Sequence, residues 1–517
     1  MPGNPWWGSS GNDTIAATWG VYHDAATPPG PSVKGNGGND LIIRDWTGYY
    51  EQDNAGNWMD MSIQGGNGED TVMYSLSTTA VSATLESIFG YGLASSPATS
   101  LGVDRLYSIE NLGGSQFDDT LEGSSENNRL YGFDGSDLMS GGGGNDSLYA
   151  HLGDDTVNGE GGNDLVDGYD GDDVINGGSG SDTLYGGDDD DTIDGGFQSD
   201  LIFGGEGNDE IEGGRGNDTI DAGDGHDVID AGQNHDEVHV GDGADTVDLG
   251  GGGDTVFISG FGNNTIDGDW GNDTAVFESN SAVNVNLVFG FADRGVEGTD
   301  SLVNIENVET GNGNDTVVGS AADNEIDTGN GADYVYGYHG DDTVYAGSHN
   351  DTVDGGQGED MIFGSFGADS LNGNTGHDTI NGGSSSDTIR GGEGEDYLTG
   401  GSFGDTFVYE AGDHGIDTIT DFNLASDKIF FGEDFLATNN VGQTDLDDVL
   451  LAWAYGDGNS ILAVETADNG WEFLTILHNV SVQELNAQIV SEQIFEVEGE
   501  IGGVVTQTAM AVDDFMI

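Results

Sequence analysis

The sequence predicts an all-β solenoid, a stack of short strands joined by tight turns, and three observations carry that prediction. A nine-residue pattern runs without interruption from Gly114 to Phe257, giving sixteen units. Its sixth position is Asp in every unit but the one carrying Asn128, and its eighth is always Leu, Met, Val or Ile. A second array in register with itself runs from Thr310 to Val408, eleven units in which only Asn324 replaces the sixth-position Asp. Self-similarity at one fixed period is the signature of repeat architectures.

Each part of the unit has a physical role, seen in Gly204 to Glu212 (GGEGNDEIE) and Gly213 to Asp221 (GGRGNDTID). Glycines at positions one, two and often four permit turned and left-handed backbone that a Cβ would block, so the first six residues are expected to form a turn. The last three make a minimal strand whose middle side chain points to one face. Two units then complete one coil, and stacked coils place every eighth residue in a narrow core.

The sixth position raises a charge problem. An Asp serving only as a turn former would alternate with Asn, Ser and Gly; the 27 units instead hold 25 Asp and 2 Asn. Stacked coils set these carboxylates in rows roughly 5 Å apart, so the rows repel unless cations lie between the turns. Oxygen-only ligands, carboxylates among turn carbonyls and the absence of Cys select a hard cation, and flexible, oxygen-rich turns suit calcium better than rigidly octahedral magnesium. The expected ligands in the first array are Asp119, Asp137, Asp146, Asp155, Asp164, Asp173, Asp182, Asp191, Asp200, Asp209, Asp218, Asp227, Asp236, Asp245 and Asp254, with Asp273 in the unit Gly268 to Val276. In the second they are Asp315, Asp333, Asp342, Asp351, Asp360, Asp369, Asp378, Asp387, Asp396 and Asp405.

These units resemble the RTX calcium-binding repeats, whose nonapeptide is G-G-x-G-x-D-x-U-x. The resemblance covers both arrays, about half of the chain. It implies tandem parallel β-rolls with calcium held between successive turns by the sixth-position Asp and backbone carbonyls.

Composition agrees. With 97 acidic against 8 basic residues the net charge is −89, which excludes nucleic acid as a partner, because phosphate contacts need a basic face. Such charge otherwise marks disordered acidic chains, which is the state expected without calcium. The chain has no Cys, hence no disulfide framework and no thiolate metal site. No secretory signal is read at Met1 to Ser10, which lacks a basic region and an apolar run, and no apolar stretch approaches a membrane span.

In chain order, residues 1–73 carry single units at Gly8 to Ala16, Gly35 to Ile43 and Gly65 to Met73, separated by inserts holding Trp6, Trp7, Trp19, Trp46 and Trp58. This region is expected to cap the solenoid end; a sugar-stacking platform is the other reading. Two inserts follow, 74–113 and 277–309, related by an offset of 196 that aligns Asp104 to Leu112 (DRLYSIENL) with Asp300 to Val308 (DSLVNIENV) and Asn128 with Asn324. The chain thus duplicates an insert followed by a roll, 114–276 and then 310–408, and each insert is expected to form a short β segment that starts its roll. The unit Ser259 to Asp267 carries one slipped residue.

After Val408 the period is lost. Residues 409–498 are expected to close the roll, with helices at Asp445 to Ala454 and near Val482 to Val490 and strands around Ser460 to Glu465 and Trp471 to Leu477. The tail 499–517 ends Asp513, Asp514, Phe515, Met516, Ile517, similar to the uncleaved export signal of RTX proteins sent out by type I secretion machinery.

Catalytic signatures are sparse. His235 to His239 (HDEVH) approaches the H-E-x-x-H zinc motif, but its Glu is third and its strand period cannot bring both His to one helical turn. No nucleophile elbow, phosphate loop or Cys nucleophile is present. Only Lys34 and Lys428 are lysines, which fits poorly with an acylated cytolysin. The sequence therefore points to a secreted, extracellular calcium-binding protein with a structural, cell-surface or adhesion role, for which cell-surface or matrix polysaccharide is the candidate partner. The alternative is a carbohydrate-active epimerase or lyase with its site in the first 110 residues.

Overall fold

The computed structural model describes residues 11–17, 32–44, 62–85, 92–95, 103–410, 412–432, 450–455, 459–465, 471–481, 483 and 495–497. The five N-terminal tryptophans, the tail 499–517 and nearly all of the helix expected at 482–490 lie outside them. The chain divides into two compact units, Met1–Gly271 and Asn272–Ile517.

In the first unit, strands pair in parallel with the strand eighteen residues on, Ile193 opposite Ile211 in one sheet and Leu184 opposite Ile202 in the other. Two nonapeptides per coil is therefore the observed geometry. Leu121, Met139, Val157, Ile175, Ile193 and Ile211 line one inner face and Leu130, Leu148, Val166, Leu184, Ile202 and Ile220 the other, all at most 1% exposed. Their burial is the main apolar contribution to each coil, about 2 kcal/mol for a fully buried aliphatic side chain. The slipped unit shows as a coil of nineteen residues, with Thr246 opposite Thr265.

Some strands keep the expected three residues, such as Val228–Asp230 and Glu325–Asp327, while many others run longer. Thr192–Phe197 (TIDGGF) runs six residues, through the first three positions of the following unit. Only positions four to six then turn the chain, so the first two glycines are strand rather than turn. In these longer strands the inward position two residues on is a small residue, as at Gly195 and Ala222, whereas towards the end of the first roll it is filled by Val240 and Leu249, both fully buried. Glycine is still needed for the turn itself. Gly207 has φ +147°, and a Cβ there would meet the Asp189 carbonyl of the previous coil at 1.9 Å.

The insert of the first unit forms an antiparallel meander, Ser82–Thr84, Gly92–Ser95 and Val103–Tyr107. Its outer strands pair in parallel with Thr120–Ser124 and Ser62–Gln64, so it substitutes for one layer of the roll. The second unit repeats the device with Asn284–Asn286, Phe291–Asp293 and Thr299–Val303, the first of which pairs in parallel with Thr316–Val318.

The second unit coils the same way, Tyr334–His339, Thr352–Gln357, Ser370–Thr375 and Thr388–Glu393 pairing in succession. It ends with Asp417–Ile419 and Lys428–Phe431, each laid on one sheet. Of the helix expected at Asp445 to Ala454, residues 445–449 lie outside the described ones, and the rest is strand instead: Leu450–Tyr455 pairs antiparallel with Asn459–Glu465. The latter pairs with Trp471–Leu477, and the extended backbone of LLAWAY is accounted for by that hairpin partner. Strands at Asn459–Glu465 and Trp471–Leu477 match the expectation.

Candidate metal centre

All 26 expected ligands fall inside the coils, each at most 3% exposed. They stack into ladders in which one carboxylate oxygen has a fixed task. The backbone N–H of Asp119 donates to Oδ1 of Asp137 at 2.6 Å, and the same bond repeats through Asp155, Asp173, Asp191, Asp209, Asp227 and Asp245. On the other edge it runs from Asn128 through Asp146, Asp164, Asp182, Asp200, Asp218 and Asp236 to Asp254.

The second unit has the same two ladders. One joins Asp315, Asp333, Asp351, Asp369, Asp387 and Asp405. The other joins Asn324, Asp342, Asp360, Asp378 and Asp396. The backbone N–H of Asp273 donates to Glu306 Oε2 at 3.0 Å.

The second oxygen is the informative one. Oδ2 of Asp137, Asp146, Asp155, Asp164, Asp200, Asp218, Asp342 and Asp378 is buried and accepts no hydrogen bond. It lies over the first glycine of its own unit: a Cβ on Gly132 would meet Asp137 Oδ2 at 2.3 Å, and one on Gly141 would meet Asp146 Oδ2 at 2.4 Å. A buried oxygen without a donor is costly. Burial accordingly raises the carboxyl pKa, to about 7 for Asp137, Asp155 and Asp164 and to about 8 for Asp191, Asp200 and Asp378. Backbone N–H donors oppose the rise and neighbouring rungs of the ladder add to it.

Among the described residues no three His, Asp or Glu side chains converge on one point. A cation in the ladder would therefore draw on few carboxylates and on turn carbonyls, an oxygen-only set that fits a hard ion. Orphaned, buried carboxylate oxygens among turn carbonyls fit calcium in their chemistry.

The ladders extend past the residues expected from the repeats. Asp13 donates to Asp40 and Asp40 to Asp70, at 2.8 Å each, across coils of 27 and 30 residues that fixed-period counting passes over. At the far end Asp396 donates to Asp417 and Asp405 to Asp427, both at 3.2 Å. The signal was present in the tripeptides Asp417-Thr418-Ile419 and Asp427-Lys428-Ile429, which repeat positions six to eight.

The two Asn exceptions have a cause. Asn128 Nδ2 donates to the Glu110 carbonyl at 2.7 Å, and Asn324 Nδ2 to the Glu306 carbonyl at 2.5 Å. These rungs abut the end of each insert, where a carbonyl faces the side chain and a carboxylate would have nothing to donate. The zinc-like His235 and His239 are separate: His235 sits on a turn against Gly253, and His239 bonds Glu237 on the outer face.

Comparison with known proteins agrees with this geometry. No curated protein matches the chain. The extracellular lipase LipA from Serratia marcescens is a similar solved structure at 17% identity, covering 57% of this chain with a TM-score of 0.15. This chain spans 38% of that lipase, and so loose a likeness carries no argument about activity. The family model of the RTX calcium-binding nonapeptide repeat matches in overlapping segments from 113 to 277 and from 309 to 407. Those segments cover just over half of the sequence, and the chain belongs to the RTX calcium-binding nonapeptide repeat family.

Proposed function

We propose that this is a secreted protein that stays unfolded where calcium is scarce and folds into its rolls outside the cell, where it serves a structural, surface or adhesion role. The single observation that carries the reading is the pair of buried Asp ladders with orphaned oxygens, a core that ionised carboxylates cannot occupy without cations. In this reading the ligands are the sixth-position Asp residues from Asp119 to Asp405 together with turn carbonyls. The working divisions are the inserts 74–113 and 277–309, the rolls 114–276 and 310–408, the cap 409–498 and an export tail 499–517. Coupling of metal binding to folding supports the logic, since metal affinity is then folding free energy. Among the described residues no helix is long and apolar enough to cross a membrane.

The test is limited proteolysis of the full chain in calcium and in chelator, alongside fractionation of cells carrying a type I export system. The reading expects protease resistance in calcium alone and chain in the medium that is lost on deleting 499–517. Protein retained inside the cell with an intact tail would contradict the export part. A carbohydrate-active site in the first 110 residues is separated by assaying anionic polysaccharides: turnover that disappears on removing residues 1–113 would replace the structural role with an enzymatic one.

A further inference from the structure

The outward ninth position of the unit differs between the two sheets of the first roll. On one sheet the column reads Tyr131, Tyr149, Asp167, Tyr185, Phe203, Asp221, His239, Phe257, each opposite the next in the pairing register. Two aromatic rungs alternate with one Asp, a period of three coils superimposed on the nonapeptide. On the other sheet the same position reads Glu122, Ser140, Asn158, Asn176, Asp194, Glu212, Asp230, Asp248 and holds no aromatic residue.

The aromatic pairs are stacked: Tyr131 on Tyr149 at 5.3 Å, Tyr185 on Phe203 at 4.8 Å and His239 on Phe257 at 4.4 Å between centroids, with planes within 14°. Each inner ring therefore uses one face on its partner and turns the other toward an Asp rung. Tyr149 and Tyr185 bracket Asp167, and Phe203 and His239 bracket Asp221. The bracketing rings are two strand spacings apart, roughly 9.5 Å. One flat cationic group midway in that gap lies about 4.7 Å from each ring, within the reach of roughly 6 Å over which a ring face attracts a cation. Asp221 is exposed, while Asp167 is half-buried and accepts a hydrogen bond from the Tyr169 hydroxyl.

Aromatic faces on two sides and a carboxylate between them select a flat organic cation, because ring quadrupoles and the carboxylate both attract positive charge. We propose that this sheet face docks an extended polypeptide segment whose arginine side chains enter the two slots, each guanidinium held between rings and paired with Asp167 or Asp221. The slots recur every three coils, about 14 Å, which matches every fourth residue of an extended strand at about 3.4 Å per residue. The chain's charge of −89 steers such a basic segment to it. The inference needs the folded roll only and is independent of where the protein works.

The test is fluorescence anisotropy of a labelled peptide with two arginines separated by three small polar residues, titrated with the calcium-loaded full chain at physiological salt. Asp167→Asn with Asp221→Asn is expected to weaken binding by about tenfold or more, the loss of two desolvated cation sites. Removing the same charge from the opposite sheet, Asp194→Asn with Asp230→Asn, should change it less than about twofold. A peptide of equal composition with adjacent arginines should bind more weakly than the spaced one. Equal losses from the two double variants, or equal binding of the two peptides, would overturn the proposal in favour of net charge alone. A far-ultraviolet spectrum of each variant in calcium separates a lost slot from a lost fold; should the Asp variant fail to fold, Tyr185→Leu with Phe203→Leu tests the ring walls in its place.

Discussion

Two kinds of buried carboxylate share this chain, and they solve the problem of burial differently. In the inserts, Asp104 meets Arg44 at 3.0 Å and Asp300 meets Arg294 at 2.6 Å, with both pairs almost fully enclosed. The two Asp residues are equivalent by the 196-residue duplication, yet their arginines are not: Arg44 comes from a preceding coil and Arg294 from the meander itself. What was kept is the demand for a cation beside the carboxylate, supplied from whichever position could reach. At ladder carboxylates such as Asp137, Asp155 and Asp191 the second oxygen has no donor, and with 8 basic residues against 97 acidic ones the chain could not supply a cation to every rung. Their cation has to come from solution.

The comparison is broken most severely by pH. Burial raises the ladder pKa values from the ordinary range near 4 to about 7 at Asp155 and about 8 at Asp191. A carboxyl whose folded pKa is raised favours the metal-free fold when protonated. That stability is full below about pH 4 and is lost as pH rises through 7 to 8. Calcium requires the ionised form, so its affinity should move oppositely. Circular dichroism of the chelated chain should show β structure appearing as pH falls from 8 to 5, and the calcium midpoint at pH 6 should lie above that at pH 8. A chelated spectrum unchanged between those pH values would break the comparison, because the ladder would then not be limited by its charge.

Removing the built-in cation is the next largest effect. Arg294→Met removes the cation beside the buried Asp300 carboxylate, a loss of about 3–5 kcal/mol that added calcium should not repair. Arg294→Met with Asp300→Leu should recover most of it, measured by calcium-dependent denaturant unfolding. Asn324→Asp inverts the seam: the donor to the Glu306 carbonyl disappears, and about 1–3 kcal/mol should be lost locally. Smallest in stability is Asp218→Ala, about 1 kcal/mol for the ladder bond from Asp200, with lower calcium stoichiometry by equilibrium dialysis and distant coils intact, since coils interact with neighbours. Unchanged stoichiometry would remove Asp218 from the ligand set.

Much of this was legible in the sequence because a repeat states the same constraint many times. Ile193 and Asp218 could be assigned to core and ladder from their place in the period, and the side chains now sit there. The rest escaped where the period fails or where it is silent. Asp40, Asp70, Asp417 and Asp427 continue the ladders over coils of irregular length; their local motifs are visible in the sequence, but which rung each one stacks on is not, because no fixed period carries across the inserts. The glycine pair read as a turn because its φ freedom is visible in sequence, whereas the pairing with the next coil, Gly196 opposite Gly214, that makes it strand is not. Leu450–Tyr455 has the apolar content of either a helix or a strand, and the antiparallel partner decides it. The alternation of aromatic pairs with Asp167 and Asp221 lies at a position that varies from unit to unit, so it emerges only when every second unit is placed on one sheet.

The measurement that tests the central claim most directly is far-ultraviolet circular dichroism of the chain at pH 8 during a titration from chelator to about 10 mM calcium, spanning the affinities of extracellular calcium modules, with magnesium in parallel. The account predicts a cooperative passage from a disordered to a β spectrum in calcium and none in magnesium. A β spectrum already complete in chelator would show that the Asp ladders stand without a cation, and would contradict it.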